Sequence, residues 1–210
     1  MFYRTKLILT LGLALTFMLA AGAQAAPPSD PDWPCQQRLV PRLAFATYWT
    51  GPAPPAGADW HADPRLSALS EAIAPRDVAT EDGIAKLTAF AQTLPEAERA
   101  KTLPLAFAAL VDQTNEERDT VISQLKTLGA RQRSLAKRIE SDEAALQAAP
   151  ADASGDAAAE RAGITERHDL LVRSYHDIGE TIRYACQVPS DLDARLGAYA
   201  RALATQLGTK

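Results

Sequence analysis

Along Leu105–Leu146, apolar side chains recur at alternating steps of four and three. Phe107, Val111, Thr114, Arg118, Val121, Leu125, Leu128, Gln132, Leu135, Ile139, Asp142 and Leu146 fall on one seam with charged flanks. Eight of the twelve are apolar, the a/d spacing of a coiled coil interrupted at four positions. Ile164, His168, Leu171, Tyr175, Ile178, Ile182 and Ala185 repeat the rule. Between the two stretches, Pro150-Ala-Asp-Ala-Ser-Gly155 breaks the helix. The pattern predicts a long antiparallel helical hairpin with arms at about 105–148 and 157–187. A turn centred near Ala151 and Asp152 sets Ile139 against Ile164, Leu128 against Tyr175, Leu125 against Ile178 and Val121 against Ile182.

Shorter helices flank this hairpin. Asp63 caps the first, with Pro64 in the first turn, where its missing N–H costs nothing. Leu66, Leu69 and Ile73 form its stripe, and Pro75 ends it. Thr80 is the expected cap of a second, carrying Ile84, Leu87, Ala91 and Leu94. A third begins at Pro95 with Glu96 and Glu98 at its positive end, and Pro104 is expected to kink or restart it. After Cys186, Val188-Pro189 is expected to break the chain, with Ser190 capping a last helix that shows Leu192, Leu196, Tyr199, Leu203 and Leu207 on one face. No strand pattern of useful length appears. The fold class is all-α, with 63–210 as the helical domain and a Pro/Trp-rich extended segment, 26–62, packed at the hairpin base.

The first residues read as a signal peptide, 1–25. Arg4 and Lys6 precede the uncharged run Leu7–Ala20, and Ala23-Gln24-Ala25 is a small-residue cleavage site. The run is too short for a comfortable span, so no membrane span is expected after its removal. With that leader gone, 20 basic and 26 acidic residues remain, a net charge of −6. An acidic balance argues against nucleic acid or anionic lipid as the main partner, since both need a basic face. Export also sets the redox compartment. In an oxidising space Cys35 and Cys186 are most simply one disulfide, which closes a loop for which the chain-entropy model allows about 5 kcal/mol.

Candidate chemistry is sparse. His61 lies in a loop beside Asp63, His168 on the seam opposite Leu135 and near Gln132, and His176 four residues before Glu180. Neither E-x-x-H nor H-E-x-x-H spacing occurs, so no metal and no cofactor is expected. There is no G-x-S-x-G elbow, dinucleotide fingerprint or phosphate loop, so no catalytic residues are assigned. Arg118 interrupts the seam near the base and needs a partner if buried, with Asp112, Glu116 and Glu117 close in sequence. Trp33, Trp49 and Trp60 lie within 28 residues of one another, which predicts a localised aromatic cluster. Together with Arg118 they are the candidate cleft or partner surface.

Asp32-Trp33-Pro34-Cys35-Gln36-Gln37-Arg38, the Trp49-Thr50-Gly51-Pro52 turn and Tyr184-Ala185-Cys186-Gln187-Val188-Pro189 resemble a family of uncharacterised exported proteins of proteobacteria. The resemblance implies a Gram-negative periplasmic setting and paired cysteines, and it brings no activity with it.

The resulting expectation is a periplasmic, non-enzymatic protein that uses its hairpin as an interaction or scaffolding arm, chaperone-like in one version. Its partner would be a protein, with a second copy of the chain also a candidate. The rival is a ligand-binding module or small enzyme with a cleft at the hairpin base. An apolar stripe along the arm favours the first, a pocket with convergent polar groups the second. On the cysteines the expectation is sharp. Thiol titration of protein freshly isolated from the exporting compartment finds none without reductant and two with it, and two reactive thiols before reduction would contradict the pairing.

Overall fold

A computed structural model describes residues 30–150 and 154–208. The expected leader, 1–25, and the expected centre of the hairpin turn, Ala151–Asp152, lie outside those residues. Within them the elements are all helical: α1 (Phe45–Tyr48), a 3-10 turn (Trp60–Ala62), α2 (Pro64–Ile73), α3 (Thr80–Thr93), α4 (Glu96–Ala148), α5 (Asp156–Ala185) and α6 (Val188–Gln206). None of these helices is long and apolar enough to cross a membrane. The all-α class is as the spacing predicts.

Helix α4 is the axis of the molecule. Its 53 residues run about 80 Å at 1.5 Å per residue. Pro104 neither ends nor restarts it, contrary to the expected break; it lies inside the continuous helix with its ring fully buried. Only one ladder hydrogen bond is missing there, and Leu103, Ala106 and Phe107 are buried beside it. Packing therefore outweighs the local breaker. The N-terminal part of α4 sits among α2, α3 and α6, with Leu87, Leu103, Phe107, Leu196 and Leu203 fully or almost fully buried. The C-terminal part pairs with α5 through a second cluster of Leu135, Leu171, Ile178 and Ile182, flanked by Leu128, Ile139 and Tyr175.

The hairpin is present, but its arms are shifted by about one heptad from the expected pairing. Asp142 meets Arg167, and Glu143 approaches His168 at 3.5 Å. The Gln132 amide faces Gly179. The expected register put Asp142 opposite residue 161, and His168 opposite Leu135. A repeat of seven makes a one-heptad slip invisible to apolar matching, because the seam still meets a seam. Polar groups decide between the two. Arg167 grips the buried Asp142 carboxylate with Nε at 3.0 Å and a guanidinium nitrogen at 2.6 Å. Arg161 is thereby left to cap the end of α4 at the Leu146 and Ala149 carbonyls.

Two expected caps also move. Ala79, not Thr80, precedes α3, and α6 begins at Val188 with Pro189 in its first turn rather than after a break capped by Ser190. Proline is well placed there, since a first-turn N–H has no intrahelical acceptor. Asp63 does cap α2, accepting from the Arg65 N–H.

The segment before α1 runs along α4 largely without regular structure, opening with a turn in which the Trp33 N–H donates to the Asp30 carbonyl at 3.0 Å. Lys126 pairs with Asp30, and Arg133 pairs with Asp32 while donating to the Pro31 carbonyl. Gly129 admits this close approach, because a Cβ at that position would collide with the Asp32 carbonyl oxygen. A glycine inside a long helix, which lowers helix propensity, thus has a structural use here. Ala at 129 gains about 1 kcal/mol of helix propensity but forces the extended segment off its seat. We expect Gly129→Ala to lower stability by about 1–3 kcal/mol in urea unfolding. The loss should shrink in the Cys35→Ser/Cys186→Ser background, where the segment can move away. Stabilisation by Gly129→Ala in the oxidised protein would contradict this seating.

Candidate functional site

Cys35 and Cys186 are joined, with Cα atoms 5.6 Å apart. Cys186 ends α5, and Cys35 sits in the extended segment, so the bridge ties that segment to the base of the hairpin. The Gln37 side-chain amide donates to the Cys186 carbonyl beside it, and the Trp33 indole N–H donates to the Gln37 carbonyl at 2.8 Å.

Against this bridge opens a half-enclosed cleft of about 620 Å³. Its walls come from the extended segment (Pro34, Cys35, Gln36, Gln37), from α4 (Gln132), from the end of α5 (Gly179, Ile182, Arg183, Cys186) and from the start of α6 (Gln187, Ser190, Asp191). Four glutamines, one hydroxyl and one charge of each sign converge on it. The side chains of Gln36, Gln132, Gln187, Ser190 and Asp191 have no hydrogen-bond partner among the described residues. Arg183 lies over the Tyr184 ring at 4.7 Å and donates to its hydroxyl.

The candidate surface residues lie elsewhere, and not together. Arg118 is only 3% exposed and lines no part of the cleft. Its partners are not the carboxylates near it in sequence but two main-chain carbonyls, Val40 of the extended segment (2.7 Å) and Pro189 of α6. Asp112 instead accepts from the Trp60 indole at 2.9 Å, and Glu117 pairs with Arg76. Burial disfavours the charged guanidinium of Arg118, while Asp193, Tyr48 and Asp119 favour it.

The tryptophans form no single cluster. Trp49 stacks on Phe107 at 5.2 Å beside Phe45. Trp60 packs in a separate group with Leu66, Ala106 and Ala109. Trp33 lies near the bridge. Nearness in sequence does not become nearness in space, because the extended segment passes along α4 and then around the base. None of the four expected surface residues lines the cleft; of the residues singled out in the sequence, only the two predicted disulfide cysteines do.

The residue that sequence reasoning missed is Asn115. Buried on α4, it accepts from the Leu43 N–H at 2.7 Å and donates to the Leu43 carbonyl at 3.0 Å. One signal was available. Asn is a poor interior helix residue, and this one sits a turn from Arg118 between apolar runs.

The histidines gather no ligand set. His61 stacks on Trp60 and bonds Asp59. His168 has Glu143 and Asp169 near its ring. His176 meets Tyr175 edge-on and makes no ion pair with Glu180. No group of three or more potential ligands stands together among the described residues.

Fold and cleft define a disulfide-clasped helical hairpin with a polar, amide-lined recess at its base. Comparison with protein-family models, with curated proteins and with solved structures finds no match to this chain.

Near the base, the Tyr48 hydroxyl donates to Asp193 at 2.6 Å. Burial first, then the bond to that carboxylate, pushes the phenol up to about 12. The folded state therefore holds the protonated phenol more tightly than the unfolded chain does. Its stabilisation is complete below about pH 10, the ordinary phenol value, and is lost as pH rises towards about 12. Tyr199, also raised by burial, adds to the same fall. Stability should decline across this window, and Tyr48→Phe should remove part of the decline. An identical pH profile for Tyr48→Phe and the native protein would contradict the assignment.

Proposed function

We propose that this chain is an exported binding module whose recognition site is the cleft over the Cys35–Cys186 bridge, with the periplasm as its compartment. A single observation supports this reading most. Several side chains without hydrogen-bond partners among the described residues line one recess built from three separate stretches of chain. The volume falls within the ~300–1,000 Å³ typical of ligand pockets. The disulfide holds the extended wall in place, so the recess is formed before a ligand arrives and little ordering is needed on binding. Its contents suit recognition, since amides and a hydroxyl supply donors and acceptors without a strong field.

The arm as a docking surface is the second reading. Helix α5 packs principally on α4 and leaves Leu170 53% exposed. The other large exposed apolar residues, Val40 and Tyr184, lie away from the middle of the arm and form no stripe with it. That distribution favours the base over the arm.

Site-specific photo-crosslinking in an exporting Gram-negative cell separates the two. A photoreactive side chain replacing Gln187 at the cleft rim should form an adduct, and Gln132→Trp, which fills the recess, should abolish it. The same group replacing Gln147 near the tip should form none. An adduct from the tip that survives the filled cleft would overturn the proposal in favour of the arm.

A further inference from the structure

We infer that the cleft takes an extended, uncharged stretch of polypeptide and reads its main chain. This deepens the reading of the cleft as a binding site and rests on it. The lining argues against two other ligand classes. Arg183 is its one cation; it shares the recess with Asp191 and is engaged with Tyr184. A phosphate or polyanion would meet as much negative as positive charge. No aromatic ring among the described residues lines the cleft, so a sugar would find no stacking platform there. What remains is an excess of primary amides. Each offers one acceptor and two donors, the complement of a peptide group.

The protein already uses this mode on itself. Asn115 holds Leu43 by its N–H and its carbonyl at once. Arg118 takes the Val40 carbonyl, and Arg133 takes that of Pro31 in the turn where the segment begins. Polar side chains of α4 thus bind a non-helical stretch of chain through its main-chain groups in cis. Gln132 stands on the same helix with its amide unpaired at the cleft, and Gln36 and Gln187 face it from the other walls. A second extended segment entering there would meet the same chemistry in trans. Pro34, Ile182 and the two bridged cysteines line the same cleft and supply apolar surface against which small side chains would rest.

The test is a titration of the oxidised full-length chain, with the glutamine side-chain amides followed by isotope-edited NMR. Four probes are used: the capped hexapeptide acetyl-(Ala-Ser)3-amide, the same peptide N-methylated at alternate residues, a chito-oligosaccharide and inorganic phosphate. The capped peptide should give saturable shifts at Gln36, Gln132 and Gln187, and N-methylation should weaken it by about tenfold or more. Gln132→Leu and Gln187→Leu should each weaken binding by about fivefold, the scale of one amide hydrogen bond, with the melting temperature and thiol count unchanged. Equal binding of the N-methylated peptide, or shifts with the saccharide or phosphate alone, would overturn the ligand class while leaving the cleft as the binding site. Silence of the cleft amides towards all four probes would overturn the inference and the binding reading together.

Discussion

An extended chain laid against a hydrophobic core presents main-chain donors and acceptors that cannot be left unpaired. The rest of this structure depends on how α4 meets that demand. Asn115 closes both main-chain groups of Leu43, and Arg118 takes the carbonyl of Val40 together with that of Pro189. Two buried polar side chains one turn apart therefore fasten the extended segment and the start of α6 to the same helix. Leu43 and Trp49 can then join the apolar cluster around Phe107. Without those partners, burial of Leu43 would strand its amide and carbonyl, at about 1–3 kcal/mol for each group.

The disulfide completes what the polar pins begin. Asn115 and Arg118 fix the segment near the core, while Lys126, Gly129 and Arg133 seat it further along α4. The bridge then ties the stretch between these points to the end of α5. Three stretches of chain, distant in sequence, are held around one recess. A polar recess is acceptable at this place because it opens to solvent, so its free amides remain hydrated until a ligand replaces the water.

Much of this architecture was legible in the chain. The four-three spacing found both arms, and the Asp63-Pro64 signal found α2. Two cysteines in a chain whose first residues read as an export leader pointed to the bridge. The illegible parts share physical causes. The heptad repeat fixes which face of each arm is buried but not which turn meets which, so the register waited on Asp142 and Arg167. Pro104 and Pro189 read as breaks because local rules weigh one lost hydrogen bond; neighbouring burial and first-turn placement outweigh it. The tryptophans scattered because an extended segment separates residues faster than a helix does. Arg118 was recognised as a polar interruption needing a partner, yet its partners are carbonyls, which leave no trace in sequence. Asn115 went unseen for the same reason. The cleft itself is made of glutamines, which no motif marks.

The most direct measurement of this account is native-state hydrogen exchange at the Leu43 amide in the oxidised full-length protein. Leu43 lies outside any helix, so only the bond to Asn115 protects it. Exchange as slow as that of buried α4 amides such as Leu110, lost selectively in Asn115→Ala, is the result predicted. Exchange at the rate of an exposed loop in the native protein would mean that the extended segment is not pinned to α4, and the account would fail at its foundation.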